Sequence, residues 1–267
     1  MGATFRFMKR RARSLDQDVG AAREGMRIAK RVARAGLCSR REAERWIAEG
    51  RVAVDGKTLT SPAVTVGEAA RITVDGRALP VAEPARLWRY HKPPGLVTSR
   101  DGQGRPTVFE RLPPALSRLL AIGRLDLASE GLLLLTNDGD LARHLELPAT
   151  GWIRRYRVRV YGRVAPAQLD ELARGLTIGG IRYGPIRAAL DRQQGANAWL
   201  TISLHEGKNR EVRRACEHFG WSVNRLIRVA YGPFQLGGLR RGGLARVPGT
   251  VLRDQLGPAA GRLLEKA

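Results

Sequence analysis

From residue 27 onward the apolar positions fall first at a helical period and then at an alternating one. Ile28 and Val32, with the alanines between them, recur at helical spacing, and Gly36 can end that helix in the left-handed region. Ser39 stands three residues before Glu42, the capping-box spacing. This predicts a second helix with Ala43, Trp46 and Ile47 on its apolar face and Gly50 at its stop. The stretches "RVAVDGKTL" and "RITVDGRAL" then alternate apolar and polar residues through Asp55-Gly56 and Asp75-Gly76, which predicts two tight hairpins.

The segment "LPVAEPARL", with Pro80 and Pro84, interrupts both periods and reads as a linker. Beyond it the spacing predicts a strand over Leu87 to His91, a loop "KPPGLVTSRDGQGRPT" and a short helical stretch near Phe109. Leu132 to Thr136 is short and continuously apolar, as for a strand covered on both faces, and Asn137-Asp138-Gly139 turns it. In "IRRYRVRVYG", Tyr156, Val158 and Val160 share one strand face and Arg155, Arg157 and Arg159 the other. "APAQLDELARG" predicts a helix ended by Gly175, "AWLTISL" a strand, and "REVRRACEHF" a helix stopped at Gly220. Strands and helices interleave without a regular repeat. The expected class is therefore α+β, a mixed, mainly antiparallel sheet flanked by helices and preceded by a small module of two helices and β-hairpins. The expected division is a disordered basic arm over 1–25, the small module over 26–83, the larger domain over 84–250 and a C-terminal tail over 251–267.

Charge adds a partner to this architecture. Lys and Arg number 47 against 25 Asp and Glu, a formal net charge of +22, so a polyanion is expected. Only six of the 47 are lysine, leaving 41 arginines, which grip phosphate through two parallel hydrogen bonds. A GC-rich genome also favours arginine over lysine, so the net excess carries the inference rather than the ratio. Arg40, Arg41, Arg45, Arg51 and Lys57 take exposed positions of the small module. Cys38 and Cys216 stand far apart without a partner pattern, which fits a reducing cytoplasm, and both read as small core residues. No apolar run reaches the length of a membrane span and no signal-peptide core follows the first methionine. A soluble cytoplasmic protein with no membrane partner is expected, and nothing demands more than a monomer.

Several chemistries lack their residues. His91, His144, His205 and His218 are scattered, without zinc spacing, so no metal is expected, and no P-loop or Gly-x-Ser-x-Gly elbow occurs. Asp126, in "GRLDLASEGLLLLTNDGDL", is the best candidate: Arg124 could hold it ionised as a nucleophile or base. The local sequence alone favours a plainer reading, in which Asp126 caps a short helical turn. In "HEGKNREVRRACEHFG", Asn209 reads as an N-cap, and Lys208, Arg210, Arg213 and Arg214 crowd a helix start that disfavours cations. Either an anion is expected there, a phosphate or the Asp126 carboxylate, or the helix simply presents a solvated basic face.

The "SRREAERWIAEGRVAVDG" portion, within Arg27 to Leu79, resembles the S-four-type RNA-binding domain. "GRLDLASEGLLLLTNDGDLA", "HKPPGLVTS", "RRYRVRVYG" and "EGKNREVRRACEHFGWSVNRLIRVAYGPFQLGGLRRGGLARV" together resemble the RsuA/RluB family of ribosomal RNA pseudouridine synthases, over about Arg27 to Val247. Ser129, His91, Arg154 and Glu211 depart from that pattern, where threonine, asparagine, lysine and glutamine are usual.

The resemblance implies a pseudouridine synthase fold and conversion of uridine to pseudouridine without a cofactor. Asp126 becomes the catalytic aspartate, Tyr156 the ring that stacks on the flipped base, and Lys208 a basic partner of Asp126. Arg124 would position the RNA backbone, with Arg210 and Arg213 as phosphate ligands. Arg40, Arg41, Arg45 and Lys57 would serve the RNA-binding module. The implied substrate is ribosomal RNA, the large subunit favoured, or an assembling ribosomal particle. Two rival readings stand beside it, an RNA-binding assembly factor without chemistry and a metal-free RNA hydrolase.

Overall fold

The computed structural model describes residues 25–100, 102–147 and 150–257. The arm expected over 1–25, apart from Gly25, and the end of the expected tail from residue 258 lie outside them. The chain forms two compact units that part after Pro80.

In the first unit β1 (Met26–Arg27) runs into α1 (Ile28–Arg34), and α2 (Arg40–Ala48) starts at Ser39, whose hydroxyl accepts the Glu42 N–H at 3.2 Å. Strands β2 (Val52–Val54), β3 (Lys57–Thr58), β4 (Thr65–Val66), β5 (Ile72–Val74) and β6 (Arg77–Ala78) follow. Four of them make an antiparallel sheet in the order β3-β2-β5-β6, and β4 pairs with β1. Both hairpins turn through left-handed Asp-Gly pairs, φ 49° and 81° at Asp55-Gly56 and 49° and 75° at Asp75-Gly76, the backbone that matches strand twist. Ile28, Val32, Ala43, Ile47, Val52 and Ile72 close the core. Arg40, Arg41, Arg45 and Lys57 are exposed as expected. Arg51 is instead committed within the unit, lying 4.6 Å over the Trp46 ring and hydrogen-bonded to Asp75 at 2.6 and 2.9 Å.

The second unit is built on a nine-stranded sheet. Its strands are β7 (Leu87–Lys92), β8 (Leu120–Ile122), β9 (Glu130–Thr136) and β10 (Arg154–Tyr161), then, after the separate hairpin β11 (Leu176–Ile178) and β12 (Ile181–Tyr183), β13 (Arg187–Gln194), β14 (Asn197–Leu204), β15 (Ser222–Tyr231), β16 (Phe234–Gln235) and β17 (Leu244–Arg246). The order is β13-β14-β10-β15-β9-β7-β17, with β8 on β9 and β16 on β15. Only β15 and β9 run parallel, so the sheet is mixed and mainly antiparallel.

Strand β9 explains its own unbroken apolar run. Leu133 and Leu135 enter one core with Tyr156, Val158, Val160 and Leu200, while Leu132 and Leu134 enter a second with Leu141, Leu145 and Leu252. The first core is covered by α4 (Pro166–Arg174) and α5 (Glu211–His218), through Leu172 and Val212. The second is covered by α3 (Gly139–Glu146) and α6 (Gly249–Leu256).

Two segments carry more structure than expected. Asn137-Asp138-Gly139 does more than turn the chain: the Asp138 carboxylate accepts the N–H groups of Asp140 and Leu141, each at 2.8 Å, and starts α3. The tail expected from 251 begins with the greater part of α6, which is fixed because Leu252 and Leu256 are buried in the second core. Among the described residues no helix is long and apolar enough to cross a membrane.

Candidate active site

Asp126 lies in the turn between β8 and β9, closed by the Ser129 N–H on the Asp126 carbonyl at 3.0 Å. That bond belongs to a single turn leading straight into β9, so Asp126 caps no helix. The backbone around it is held by the end of β7 and the loop that follows it. Thr98 Oγ1 donates to the Leu125 carbonyl at 2.9 Å and the Gly95 N–H to the Leu127 carbonyl at 2.8 Å. Lys92, the last residue of β7, is fully buried. Its ammonium faces the carbonyls of Ser129 (2.8 Å), Pro93 (3.1 Å), Asp126 (3.1 Å) and Leu127 (3.4 Å), more acceptors than its three N–H groups. Burial pushes its pKa down to about 8, against the pull of the Asp126 and Glu130 carboxylates.

The Asp126 side chain keeps 32% of its surface exposed. Ser129 Oγ reaches its Oδ2 at 3.5 Å, and the Arg213 Nε stands 3.9 Å from the same oxygen. Arg213 itself is 9% exposed. It donates to the carbonyls of Ala128 at 3.3 Å and Val223 at 3.4 Å, tying α5 to the aspartate turn and to β15. Burial and the nearby Arg210 lower its pKa, and Asp126 opposes them.

This corrects the pairing expected from sequence. Lys208 is engaged elsewhere: its ammonium is 2.8 Å from Glu206 Oε2, donates to the Arg182 carbonyl at 2.6 Å and lies 5.7 Å from the Tyr183 ring. A carboxylate two residues away takes the charge that Asp126 was expected to take. Arg213, expected on phosphate, is instead the buried cation at Asp126. Nor is Asn209 the cap of α5. That place belongs to Arg210, left-handed at φ 51°, while the Glu211 carboxylate accepts the Lys208 N–H at 2.9 Å. Burial pushes the Glu211 carboxyl up. Arg210, Arg213 and Arg214 consequently splay: Arg210 is exposed beside Glu217, and Arg214 donates to the Tyr183 hydroxyl at 3.2 Å. Arg124 is exposed; the ion pair of Asp126 is with Arg213.

Tyr156 is 9% exposed, in the same core cluster as Leu125, the neighbour of Asp126. It pairs with Arg228 on β15, which pairs in turn with Gly131 on β9. Two strand spacings, roughly 10 Å, thus separate it from Gly131, the second residue after the aspartate turn. Gly131 permits this geometry. It sits at φ 107°, and a side-chain carbon there would stand 2.3 Å from the Arg228 carbonyl oxygen. Arg228 is buried and donates to the Leu132 carbonyl at 2.7 Å.

On the opposite sheet face, beside the turn, the Glu130 carboxylate is buried under two arginines. Arg225 clasps it through both oxygens and Arg241 through Oε2 at 2.9 Å. These guanidinium groups hold its pKa below the ordinary value against desolvation. His91 ties the Arg241 loop to β7: its Nδ1 is 2.7 Å from the Leu239 carbonyl and its N–H bonds Gly243.

Lys92, Glu130, Arg225, Arg228 and Arg241 were not singled out as site residues by sequence reasoning. The available signal was a lysine ending the apolar run "LWRYHK" and a glutamate opening another. Cys216 is buried, with its thiol pushed up to about 12 by desolvation. Among the described residues no group of three or more His, Cys, Asp or Glu is placed to hold a metal.

Residues 86–218 match the family model described as RNA pseudouridylate synthase, and residues 26–77 match the S4 domain model. An uncharacterised RNA pseudouridine synthase of Rickettsia prowazekii is 47% identical over 231 residues, covering 86% of this chain and 97% of that one. A ribosomal large subunit pseudouridine synthase B of Yersinia pestis is 44% identical over 230 residues, covering 82% of this chain and 71% of its own. A crystal structure of a pseudouridylate synthase superposes with a TM-score of 0.61 at 26% identity, covering 87% of this chain and 100% of the other.

Proposed function

Since the chain belongs to the RNA pseudouridine synthase family, we propose that it isomerises uridine in large-subunit ribosomal RNA, with Asp126 as the catalytic carboxylate and no cofactor. The observation that carries this reading is an aspartate on a fixed turn, one third exposed, paired with the buried Arg213. The name of the Yersinia relative supports the large-subunit substrate.

The target nucleotide leaves its stack to reach the aspartate. Tyr156, on the same side of the sheet as Leu125, offers a ring on which the flipped base stacks. Arg213 pairs with the Asp126 carboxylate and aims it, and Lys92 fixes the peptide units that carry it. The anion then either attacks C1′ or removes a ribose proton to give a glycal. In both routes the N1–C1′ bond breaks, the base turns over, C5 bonds to C1′, and the hydrogen on C5 leaves as a proton while N1 gains one; C5 displaces the Asp126 ester in the first route, and the ribose proton returns to C2′ in the second. The Tyr156 hydroxyl helps take the C5 proton.

The test is tritium release from ribosomal RNA labelled at uridine C5. Release by the wild type and none by Asp126→Asn, with RNA affinity kept, is the expected result. Arg213→Met should lower kcat on the order of a hundredfold, as for loss of one stabilising charge in an active site. Lys208→Met should leave kcat within a few-fold. The reverse order would return Lys208 to the catalytic centre. No release by any form, on naked RNA and on ribosomal particles alike, with tight binding retained, would favour an RNA-binding assembly factor.

A further inference from the structure

The helices that cover the second sheet face, α3 and α6, do so over β9 and β7 through Leu132, Leu134 and Leu87. Past β15, among the described residues, Arg155, Arg157 and Arg159 on that face are exposed. There the strand register lines up arginines from β13, β10 and β15, across β14, which contributes none. One row across the sheet reads Arg192, Trp199, Arg159, Arg225, and another reads Arg187, Ser203, Arg155. Arg157 stands between the rows, opposite Thr201. Residues directly opposite in a sheet share a face, and like charges set opposite each other, as Arg159 and Arg225 are, destabilise it. The face nevertheless carries six arginines against the carboxylates of Asp191 and Glu130.

Their posture is also specified. Arg157 lies 4.8 Å over the Trp199 ring, with its Nε 3.9 Å from Asp191, which in turn accepts the Thr201 hydroxyl at 3.0 Å. Arg159 donates to Asn197 at 3.3 Å and Arg192 to Gln194 at 3.2 Å, neutral partners that orient a guanidinium without discharging it. Arg155, Arg157 and Arg159 are exposed and follow one another along β10 at about 7 Å intervals. Tyr156, Val158 and Val160 point the other way, into the core that holds Leu125. The arginine face and Tyr156 are therefore on opposite sides of one sheet.

We infer that this arginine face is a second RNA-contacting surface, which holds the phosphodiester backbone of an RNA helix outside the target nucleotide. The inference rests on the RNA-directed reading above. A backbone ligand fits better than unstacked bases, because the Trp199 ring is already capped by Arg157 and arginine forks match phosphate oxygens in pairs. The charge of the face complements a polyanion.

The probe is an RNA duplex of about 20 base pairs, titrated against full-length protein over a range of salt. The variant Arg155→Gln/Arg157→Gln/Arg159→Gln alters exposed side chains only, and its thermal unfolding midpoint is checked beside the wild type. Duplex affinity should fall roughly tenfold or more, and the slope of log affinity on log salt should flatten by about two to three, near 0.9 for each lost phosphate contact. Tritium release at saturating ribosomal RNA should keep its kcat, and the matching Arg→Lys variant should recover most of the affinity. An unchanged duplex affinity and slope overturns the inference. Unchanged binding of the duplex with weakened binding of protein-bearing ribosomal particles overturns it in favour of an acidic protein partner. A collapse of kcat overturns it by moving these arginines into the reaction. Should the wild type release no tritium while the variant still loses duplex affinity, the isomerase reading fails and the RNA surface stands.

Discussion

At the scale of single residues, the site depends on a lysine with no solvent contact. Lys92 carries its charge among four carbonyl oxygens, and burial holds its pKa down at about 8, against an ordinary 10.5. Below pH 8 both folded and unfolded chains bind this proton, and the folded chain bears the full cost of burying the charge. Between 8 and 10.5 the unfolded chain keeps a proton that the folded chain has shed, so this group raises the unfolding free energy as pH rises through that window. Across the window the gain is about 3 kcal/mol, from roughly 1.4 kcal/mol per unit. Urea unfolding of wild type and Lys92→Met over this range should show the wild type gaining stability on the variant as pH rises. A constant difference would mean that Lys92 titrates in the fold as it does in water. The residue was invisible to sequence reading because a lysine at the end of an apolar strand usually reaches water. Only the fold brings four carbonyls to meet it. The same holds for Arg213, whose position in a basic helix says phosphate until α5 is seen against the aspartate turn.

At the scale of elements, the junction of β9 and β15 is the tightest constraint. This parallel pairing brings Gly131 against Arg228, and the left-handed backbone at Gly131 leaves no room for a methyl group. Gly131→Ala is expected to destabilise the second unit by at least about 2 kcal/mol, adding backbone strain to a clash with main-chain atoms that cannot yield. Urea unfolding measures the loss, and tritium release should drop with it because Asp126 and Tyr156 are connected through this junction. An alanine variant of wild-type stability would show that the strands can part without cost. Elements with one clear period were legible in sequence. The alternation of β10 and the double burial of β9 follow from their side chains alone. Strand β13, "RAALDRQQ", was not legible, because it is an edge strand with few apolar residues to mark a face. Strand β15 was missed because its buried positions alternate through a charged residue, Arg228 between Leu226 and Ala230.

At the scale of the whole molecule, the excess charge is shared between two units that each have their own core. Ile28, Ile47 and Val52 close the first, and no residue of its cluster belongs to either cluster of the second. The aspartate turn, Arg213, Tyr156 and the arginine face all lie beyond Pro80. A fragment starting at Val81 is thus expected to unfold cooperatively and to release tritium at saturating RNA, while binding RNA more weakly than the full chain. The two effects are separable by salt. The first unit presents Arg40, Arg41 and Lys57 to solvent, and each phosphate contact it makes releases counterions on binding, so the slope of log affinity on log salt should be shallower for the fragment. Equal slopes for fragment and full chain would mean that the first unit, basic as it is, does not touch the phosphate backbone. Loss of tritium release at saturating RNA, with the fragment still folded, would mean that the first unit serves the chemistry as well as the grip.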